Sequence, residues 1–342
     1  MKKHILRLAV MACVLCFTQC VWLDDTYEDT PSGNLKALWE IIDQRYCFLE
    51  YKAQEYGLDW DGVYQKYSRR IVDDMSEEAL FEVLGDMLSE LRDGHVNLYS
   101  VRDVSRYWSW YQDYPINYSE DLVNNYLGKD FRIASGMYYK ILDDNIGYMR
   151  YASFSDVISE SGLDAIFAHF LLCNGLIIDV RSNGGGSLEY ESQLVSRFTN
   201  ESVLVGYVSH KTGPGHEQFS EPEERMVIPA DEYYRWQKPV VVLTNRGCFS
   251  ATNAFVNDMS CLPKVCIIGD RTGGGSGIPA SSELPNGWSV RFSSAPMFTK
   301  DMKHIEFGIE PDIKVDLDPV MAAQGKDSMI EAARAYLNSL LD

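Results

Sequence analysis

Five short apolar runs, separated by helical stretches or glycine-rich loops, restrict this chain to a small set of folds. The runs are bounded by Gly, Pro, Asn or Asp, as buried strands are. They are Ile146–Tyr151, Leu176–Val180, Val203–Val208, Val240–Leu243 and Val265–Ile268. Helical patterns separate them at 155–172, 188–198 and 250–259. Such alternation requires right-handed crossovers and at least part of a parallel sheet, so the sequence predicts an α/β core.

A helical region precedes this core. Apolar residues recur at spacings of three and four over 35–49 and again over 80–91, which predicts two amphipathic helices. Asp93-Gly94 is a suitable stop for the second helix. We therefore expect a small helical domain at 33–94 and the α/β domain at 95–342.

The first residues predict export. Residues 1–19 combine a basic start with an apolar stretch that is too short to span a bilayer, as in a cleavable signal peptide. The segment Phe17-Thr18-Gln19-Cys20 resembles a bacterial lipobox, so Cys20 is the expected lipidation site. Residues 20–32 are acidic and aperiodic, which is typical of a solvated tether. The predicted location is the cell envelope (periplasm or outer membrane), with the lipid anchor as the one membrane contact.

Charge and cysteine content argue against several classes of partner. The chain carries 50 acidic and 31 basic side chains, for a formal net charge of −19, which disfavours nucleic acid. No pair of cysteines has the spacing of metal ligands, and neither a metal nor a cofactor is expected. The cysteines after the signal lie mostly in apolar surroundings and are predicted to be buried free thiols.

Two glycine-rich turns follow predicted strands. In the first, Asn183-Gly184-Gly185-Gly186, bare N–H groups can face a developing negative charge, although a plain strand-to-helix loop has the same composition. The second, Gly273-Gly274-Gly275, mimics a nucleotide-binding loop. It lacks a phosphate-binding lysine, and the proline-containing segment after it cannot form the required helix. We therefore reject a nucleotide site.

Ser250 stands between a predicted strand and a predicted helix. Serine is a common helix N-cap. Alternatively, a serine at a strand-to-helix turn can be a nucleophile, because the helix dipole favours an anion there and the N–H of Ala251 can join an oxyanion hole. His95 directly follows a tight turn at the start of another predicted strand. Taken alone, a histidine in such a place is more often structural.

Taken together and in this order, these segments resemble the family of tail-specific (C-terminal processing) proteases, tricorn-core peptidases and their retinoid-binding-protein relatives. The order is more specific than any single motif, and the resemblance extends to Gly308-Ile309-Glu310-Pro311-Asp312-Ile313. It implies a crotonase-like (ClpP/crotonase-type) α/β catalytic domain at 95–342. It also implies a serine-type peptidase that hydrolyses peptide bonds of exported proteins or peptides, so peptides or unfolded proteins are the expected partners.

The resemblance also implies the roles of the site residues. Ser250 is the expected nucleophile, His95 its base, and Glu306 the carboxylate that fixes the tautomer of the histidine and stabilises its cation. The backbone N–H groups of Gly185 and Ala251 are the expected oxyanion hole. A base is needed because a neutral serine hydroxyl is a weak nucleophile.

Two departures place the chain nearer the tricorn-like branch. The tail-specific branch has a catalytic lysine three positions after the threonine of the second glycine loop, whereas Gly275 follows Thr272 at that distance. That branch usually also carries a PDZ domain, for which residues 96–145 leave little room. The tricorn-like branch uses a histidine and a glutamate near the C-terminal motif. Glu306 fits that place, and Glu310 is the alternative carboxylate.

Two other functions remain compatible with the sequence. A noncatalytic member could bind extended peptides or an apolar ligand in the same groove; the combination of His95, the glycine turn and Ser250 argues against it, and the missing lysine argues weakly for it. A general esterase is disfavoured because no Gly-x-Ser-x-Gly elbow surrounds Ser250. The aromatic side chains of 107–118 could line a groove, but packing beneath a long connection is the preferred interpretation.

Overall fold

The computed structural model describes residues 27–231 and 233–341. The predicted signal peptide, Cys20 and most of the predicted tether lie outside the described residues. None of the described helices is long and apolar enough to cross a membrane.

The bounds of the elements are as follows. The helices are α1 (Pro31–Arg45), α2 (Leu49–Tyr56), α3 (Trp60–Ser68), α4 (Glu77–Ser89), α5 (Ser109–Gln112), α6 (Glu120–Leu127), α7 (Glu160–Phe170), α8 (Leu188–Val195), α9 (Ala251–Ser260), α10 (Pro319–Ala323) and α11 (Ser328–Ser339). The strands are β1 (Asn97–Tyr99), β2 (Val104–Arg106), β3 (Arg132–Ala134), β4 (Met137–Ile141), β5 (Ile146–Tyr151), β6 (Gly175–Asp179), β7 (Val203–Val208), β8 (Glu223–Val227), β9 (Val240–Thr244), β10 (Val265–Gly269), β11 (Gly277–Glu283), β12 (Ser289–Thr299) and β13 (Ile313–Lys314).

A seven-stranded sheet forms the centre of the fold, in the order β13-β10-β9-β6-β5-β4-β3. Neighbours from β13 to β5 are parallel, and β5, β4 and β3 pair antiparallel. Along β6, Leu176 and Ile178 share a cluster with side chains of α7, α8 and α9, whereas Ile177 joins α6 and α11. Because helices cover both faces, all of β6 is buried. The predicted α/β fold is confirmed.

A second sheet is antiparallel, with β2-β1-β12-β7-β8 in order and β11 paired to β12. The predicted strand Val203–Val208 is β7, and it belongs to this sheet rather than to the parallel one. Its apolar run has the length of a buried strand, but a run of this kind does not specify which neighbour it pairs with.

Helices α1 to α4 pack on this second sheet. The apolar residues at 35–49, predicted to form one helix, are divided between α1 and α2. Those at 80–91 lie mostly on α4, which ends at Ser89, so the prediction of one helix for each set is only partly right. The apolar side chains of the helices form one cluster with Leu98 and Val290 of the sheet. The domain boundary between residues 94 and 95 stays a prediction, and this cluster extends across it.

The topology brings several loops to one place. The carboxyl ends of parallel strands meet at the same edge of a sheet, where ligands usually bind in α/β proteins. Here the first glycine turn follows β6, Ser250 follows β9 and the second glycine loop follows β10. His95 arrives from the other sheet, just before β1. The candidate site therefore lies where the two sheets meet.

Candidate active site

Ser250 is held in a strained turn directly before α9. Its φ of 59° and ψ of −122° lie in a region that L-residues rarely adopt. Its N–H donates to the carbonyl of Gly274 at 2.9 Å, which fastens the turn to the second glycine loop. Although Ser250 occupies the N-cap position, its hydroxyl makes no capping bond. The Oγ is therefore available for chemistry.

The Oγ of Ser250 lies 2.9 Å from the Nε2 of His95. The backbone N–H of His95 donates to Oδ1 of Asp93 at 2.7 Å, so the turn before β1 holds the residue in place. The ring of Phe249 packs against the imidazole, with 4.8 Å between centroids. The structure thus brings together two predicted site residues that are 155 positions apart in the chain.

The imidazole of His95 is neutral at pH 7. Burial lowers its pKa to about 4, although the carboxylate of Asp93 acts in the opposite direction. A neutral imidazole that accepts a proton at Nε2 carries its hydrogen on Nδ1. Within the described part of the chain, this Nδ1 is buried without a hydrogen-bond partner.

A buried ionic cluster adjoins the histidine. The Nζ of Lys52 lies 3.2 Å from Oε1 of Glu306 and 3.9 Å from Oδ2 of Asp93, and it donates to the carbonyl of Leu91 at 2.6 Å. Burial acts to raise the pKa of Asp93, but the charge of Lys52 and several hydrogen bonds hold it below its usual value. Burial and the charge of Asp93 raise the pKa of Glu306 to about 7.

Lys52 was not among the residues predicted from the sequence. It follows Leu49 by three positions on α2 and is fully buried, so it lies on the apolar side of that helix. A lysine at an apolar position is the one sequence signal that could have identified it.

The two candidate carboxylates differ in their environments. Glu306 is 3% exposed, and its Oε2 accepts a hydrogen bond from the N–H of Ser276 at 2.9 Å. Its carboxylate forms no hydrogen bond with His95 in the residues that the structure describes. The side chain of Glu310 is 72% exposed and pairs with Arg271. Only Glu306 belongs to the buried cluster, and its support of the histidine stays a prediction.

The first glycine turn lies against the turn at Ser250. A Cβ on Gly185 would approach the backbone N of Ala251 to 2.9 Å, and the φ of Gly185 is +97°. The N–H of Gly185 is occupied, however, because it donates to Oδ1 of Asn183 at 3.0 Å. The N–H groups of Ala251 and Gly186 make no hydrogen bond with any described residue. Ala251 is thus available as an oxyanion donor, and in the glycine turn the N–H groups of Gly184 and Gly186 are both free of described partners.

The structure explains the missing lysine. At Gly275, the position where the tail-specific branch has its lysine, a Cβ would lie 2.3 Å from the ring of Phe249. The φ of +74° also favours glycine. The aromatic ring therefore fills the space beside Gly275, and a side chain cannot be added there without displacing it.

The aromatic segment 107–118 only partly follows the prediction that it is packed. Trp110 stacks on Phe249 with 4.2 Å between ring centroids and so packs against the turn at Ser250. Trp108 and Tyr114 are more than 40% exposed instead. Trp108, Trp110 and Tyr114 stand before, within and after the short helix α5, and composition alone does not predict which of them is packed.

The described residues contain free cysteines and no candidate metal site. Among the described residues, no group of three or more His, Cys, Asp and Glu side chains is placed to hold a metal ion. The cysteines of residues 27–341 are free thiols, as predicted, and only Cys261 is partly exposed.

Comparison with known proteins identifies the family of these segments. Residues 145–315 match Peptidase family S41, and residues 27–89 match the C1 domain of the tricorn protease. The carboxy-terminal processing protease CtpA of Bacillus subtilis (strain 168) is 28% identical over 183 residues, which is 53% of this chain and 37% of that protein. The chain spans about a third of the length of the curated relatives that it matches.

Solved structures share the fold over a larger part of the chain. A crystal structure from Parabacteroides merdae ATCC 43184, described as that of a candidate peptidase, is 51% identical, with a TM-score of 0.87 over 91% of this chain and 97% of that one. Mature CPAF in complex with lactacystin is 14% identical, with a TM-score of 0.69 over 91% of this chain and 97% of that one. At the latter identity the likeness concerns the fold alone.

Proposed function

The chain belongs to peptidase family S41, as its motifs predict, and from this membership we propose that it hydrolyses peptide bonds with Ser250 as nucleophile and His95 as general base. The observation that carries the proposal is the distance of 2.9 Å between Ser250 Oγ and His95 Nε2. A hydrogen bond of this length allows the neutral imidazole to take the proton as the hydroxyl attacks.

The reaction has two halves. In the first, Oγ of Ser250 attacks the carbonyl carbon of the peptide bond while His95 takes the hydroxyl proton. The C–N bond then breaks, and the leaving amine receives that proton. In the second half, water attacks the acyl ester and gives a proton to His95, which returns it to Ser250 as the carboxylic acid leaves. His95 thus handles every proton, and neither a metal nor a cofactor is required.

The developing oxyanion needs backbone donors. The sequence-based assignment is Gly185 and Ala251. Ala251 suits the role because it starts α9 and its N–H is free of other described partners. Since the N–H of Gly185 already binds Asn183, we assign the second donor to the neighbouring Gly186 of the same turn. Loss of one such donor reduces turnover by about 10²–10³-fold in other serine peptidases.

The ionic cluster supports the cation that forms on His95. Asp93 is the fixed negative charge, because its pKa stays low and it already bonds the backbone of His95. Glu306 adds negative charge when ionised, and Lys52 limits the total charge of the cluster. We therefore propose that Glu306 supports the cation on His95 through the negative charge that it adds to this cluster.

A noncatalytic binding protein is the alternative. Such a protein has no need for a strained serine whose hydroxyl meets a buried neutral histidine, since backbone strain lowers stability. An esterase uses the same groups. Peptide and ester substrates compared on one preparation distinguish an esterase from a peptidase.

The substrate and location follow from the class of enzyme and the first residues. We propose that the substrates are exported peptides or unfolded proteins, and that the protein acts in the cell envelope. Cleavage after residue 19 and lipidation at Cys20 would attach it to a membrane. Mass spectrometry of the membrane-extracted protein tests this point, because an unmodified Cys20 would contradict it.

Labelling with a fluorophosphonate tests the catalytic proposal without knowledge of the substrate. The probe reacts covalently with activated serines, so we expect labelling of the protein and none of the Ser250→Ala and His95→Ala variants. Ser260→Ala, a serine at the other end of α9, serves as the matched control and should label normally. A folded protein that does not label would contradict the proposal.

A further inference from the structure

A cavity of about 330 Å³ opens beside the turn at Ser250. Its lining includes Gly94 and Phe249, which directly precede the proposed base and the proposed nucleophile. The lining also contains three arginine side chains, Arg92, Arg246 and Arg271. In a chain with a net charge of −19, this cavity is lined by as many arginines as carboxyl groups, so it is less acidic than the chain as a whole.

Arg246 is a buried cation without a carboxylate partner in the described part of the chain. It is 8% exposed. Its Nη1 donates to the carbonyl of Thr272 at 3.1 Å and its Nη2 to the carbonyl of Trp110 at 2.8 Å. Its guanidinium lies 3.8 Å from the centre of the Tyr114 ring. Since removing a cation from water without a counter-charge is unfavourable, the cavity next to Arg246 favours an incoming anion.

The other two arginines can turn toward such an anion. Arg92 is exposed, and its guanidinium lies 4.3 Å from the centre of the Tyr56 ring but makes no hydrogen bond among the described residues. Arg271 is 40% exposed at its side chain and faces Glu310, itself 72% exposed, at 3.3 Å. Exposed ion pairs of this kind are weak. The lining also contains three acidic side chains. Glu55 and Asp113 are exposed to solvent, which screens their charge, and the buried Glu306 is paired with Lys52.

We propose that this cavity is a substrate subsite that binds a carboxylate, an inference that rests on the proposed peptidase function. Arginine suits this ligand because its planar guanidinium binds a carboxylate through two parallel hydrogen bonds. Because the cavity adjoins the residues next to His95 and Ser250, the carboxylate lies close to the scissile bond. It is either an Asp or Glu side chain or the C-terminal α-carboxylate of the substrate.

Binding to the Ser250→Ala protein tests the subsite without requiring catalysis. The probes are alanine hexapeptides with a neutral fluorophore, in which one Glu or one Gln occupies each position in turn, with a free or an amidated C-terminus. Affinity is measured by fluorescence polarisation. In at least one register, or at the free terminus, we expect the carboxylate to improve the Kd about tenfold or more, as charge-assisted hydrogen bonds do. The register and the terminus distinguish the two sources.

Substitutions of the arginines test whether these side chains cause the preference for a carboxylate. In the Ser250→Ala background, Arg92→Gln together with Arg271→Gln should remove most of the preference. Arg69→Gln, an exposed arginine at the end of α3, is the matched control and should leave the preference unchanged. Equal affinities for Glu and Gln peptides and for both termini would overturn the proposal, as would a preference that survives the double substitution.

Failure of this subsite and failure of the proposed function are distinguishable. Fluorophosphonate labelling of the unsubstituted protein reports on Ser250 and His95 alone. Normal labelling with no preference for carboxylates would leave the peptidase intact and reject the subsite. A carboxylate preference in a protein that does not label would keep the binding site and reject the catalytic role.

Discussion

The Nζ of Lys52 lies 3.2 Å from Oε1 of Glu306, and neither side chain is more than 2% exposed. The two residues are 254 positions apart, so the second helix of the chain and the C-terminal motif meet next to the candidate histidine. A buried ion pair adds little net stability by itself, but one partner left alone is a large penalty. The N-terminal helices therefore contribute directly to the charge of the site.

Replacing Lys52 should destabilise the protein strongly. In Lys52→Met, Asp93 and Glu306 lose their common cation, and we expect the free energy of unfolding to fall by about 3–5 kcal/mol. Urea unfolding followed by circular dichroism measures this. Lys66→Met, which removes an exposed lysine that pairs with Glu90, should have a far smaller effect. Equal effects of the two substitutions would show that burial of the cluster is unimportant.

Glu306 and His95 should contribute unequally to the reactivity of Ser250. His95→Ala removes the proposed base and should lower the rate constant of fluorophosphonate labelling by about 10²–10⁴-fold. Glu306→Gln keeps the shape, and Glu306, with a pKa of about 7, is already partly protonated at neutral pH. We therefore expect a loss of about tenfold or less for this variant, since it removes only part of the charge near the imidazole. A larger loss in Glu306→Gln than in His95→Ala would contradict this order.

Adjacent glycines in the first turn provide a matched pair of substitutions. A Cβ on Gly185 would lie 2.9 Å from the N of Ala251, at a φ of +97°, whereas a Cβ on Gly184 meets nothing within 4 Å. Gly185→Ala should abolish labelling by displacing the oxyanion donors, and Gly184→Ala should label normally. Circular dichroism checks that both variants fold. Normal labelling of folded Gly185→Ala would argue against a role for this turn.

Local sequence patterns report which residues are buried, but they do not report distances between residues that are far apart in the chain. Strand β5 has its predicted bounds because both faces of that strand are buried, so every residue carries the signal. The approach of His95 to Ser250 was expected only through resemblance to a family, since no local pattern encodes a distance across 155 residues. The bond from Gly185 to Asn183 depends on the turn geometry, and glycine spacing does not report which N–H groups remain free.

The pH dependence of labelling should reflect the low pKa of His95. Burial lowers that pKa to about 4, so the imidazole stays neutral and active until the pH falls below about 5. We expect the labelling rate constant, measured where the protein remains folded, to reach half of its plateau near pH 4. Half-loss near 6.5, the ordinary value for histidine, would contradict this. A second change in the labelling rate constant near pH 7, absent in Glu306→Gln, would report the titration of Glu306.

Another buried carboxyl lies outside the candidate site, where α8 packs against α9. Glu191 of α8 is fully buried, its Oε1 has no described partner, and its Oε2 accepts a hydrogen bond from Ser192. Asp258 of α9 pairs with Arg225 at 2.9 Å. Burial and the charge of Asp258 raise the pKa of Glu191 well above its usual value. A proton therefore stays bound here at pH values at which a glutamate of the unfolded chain, with its pKa of about 4.3, has begun to release it.

This proton makes stability depend on pH in a definite direction. Above the unfolded value, about 4.3 for a glutamate, the native state binds more protons than the unfolded state, so the free energy of unfolding falls as the pH rises toward the raised pKa. Glu191→Gln removes this contribution and should flatten the decline of the free energy of unfolding above pH 5, measured by urea unfolding. Glu189→Gln, an exposed neighbour on α8, should keep it. Because His95 and Glu306 titrate in every variant alike, an unchanged slope in Glu191→Gln would mean that Glu191 is already ionised in the native protein.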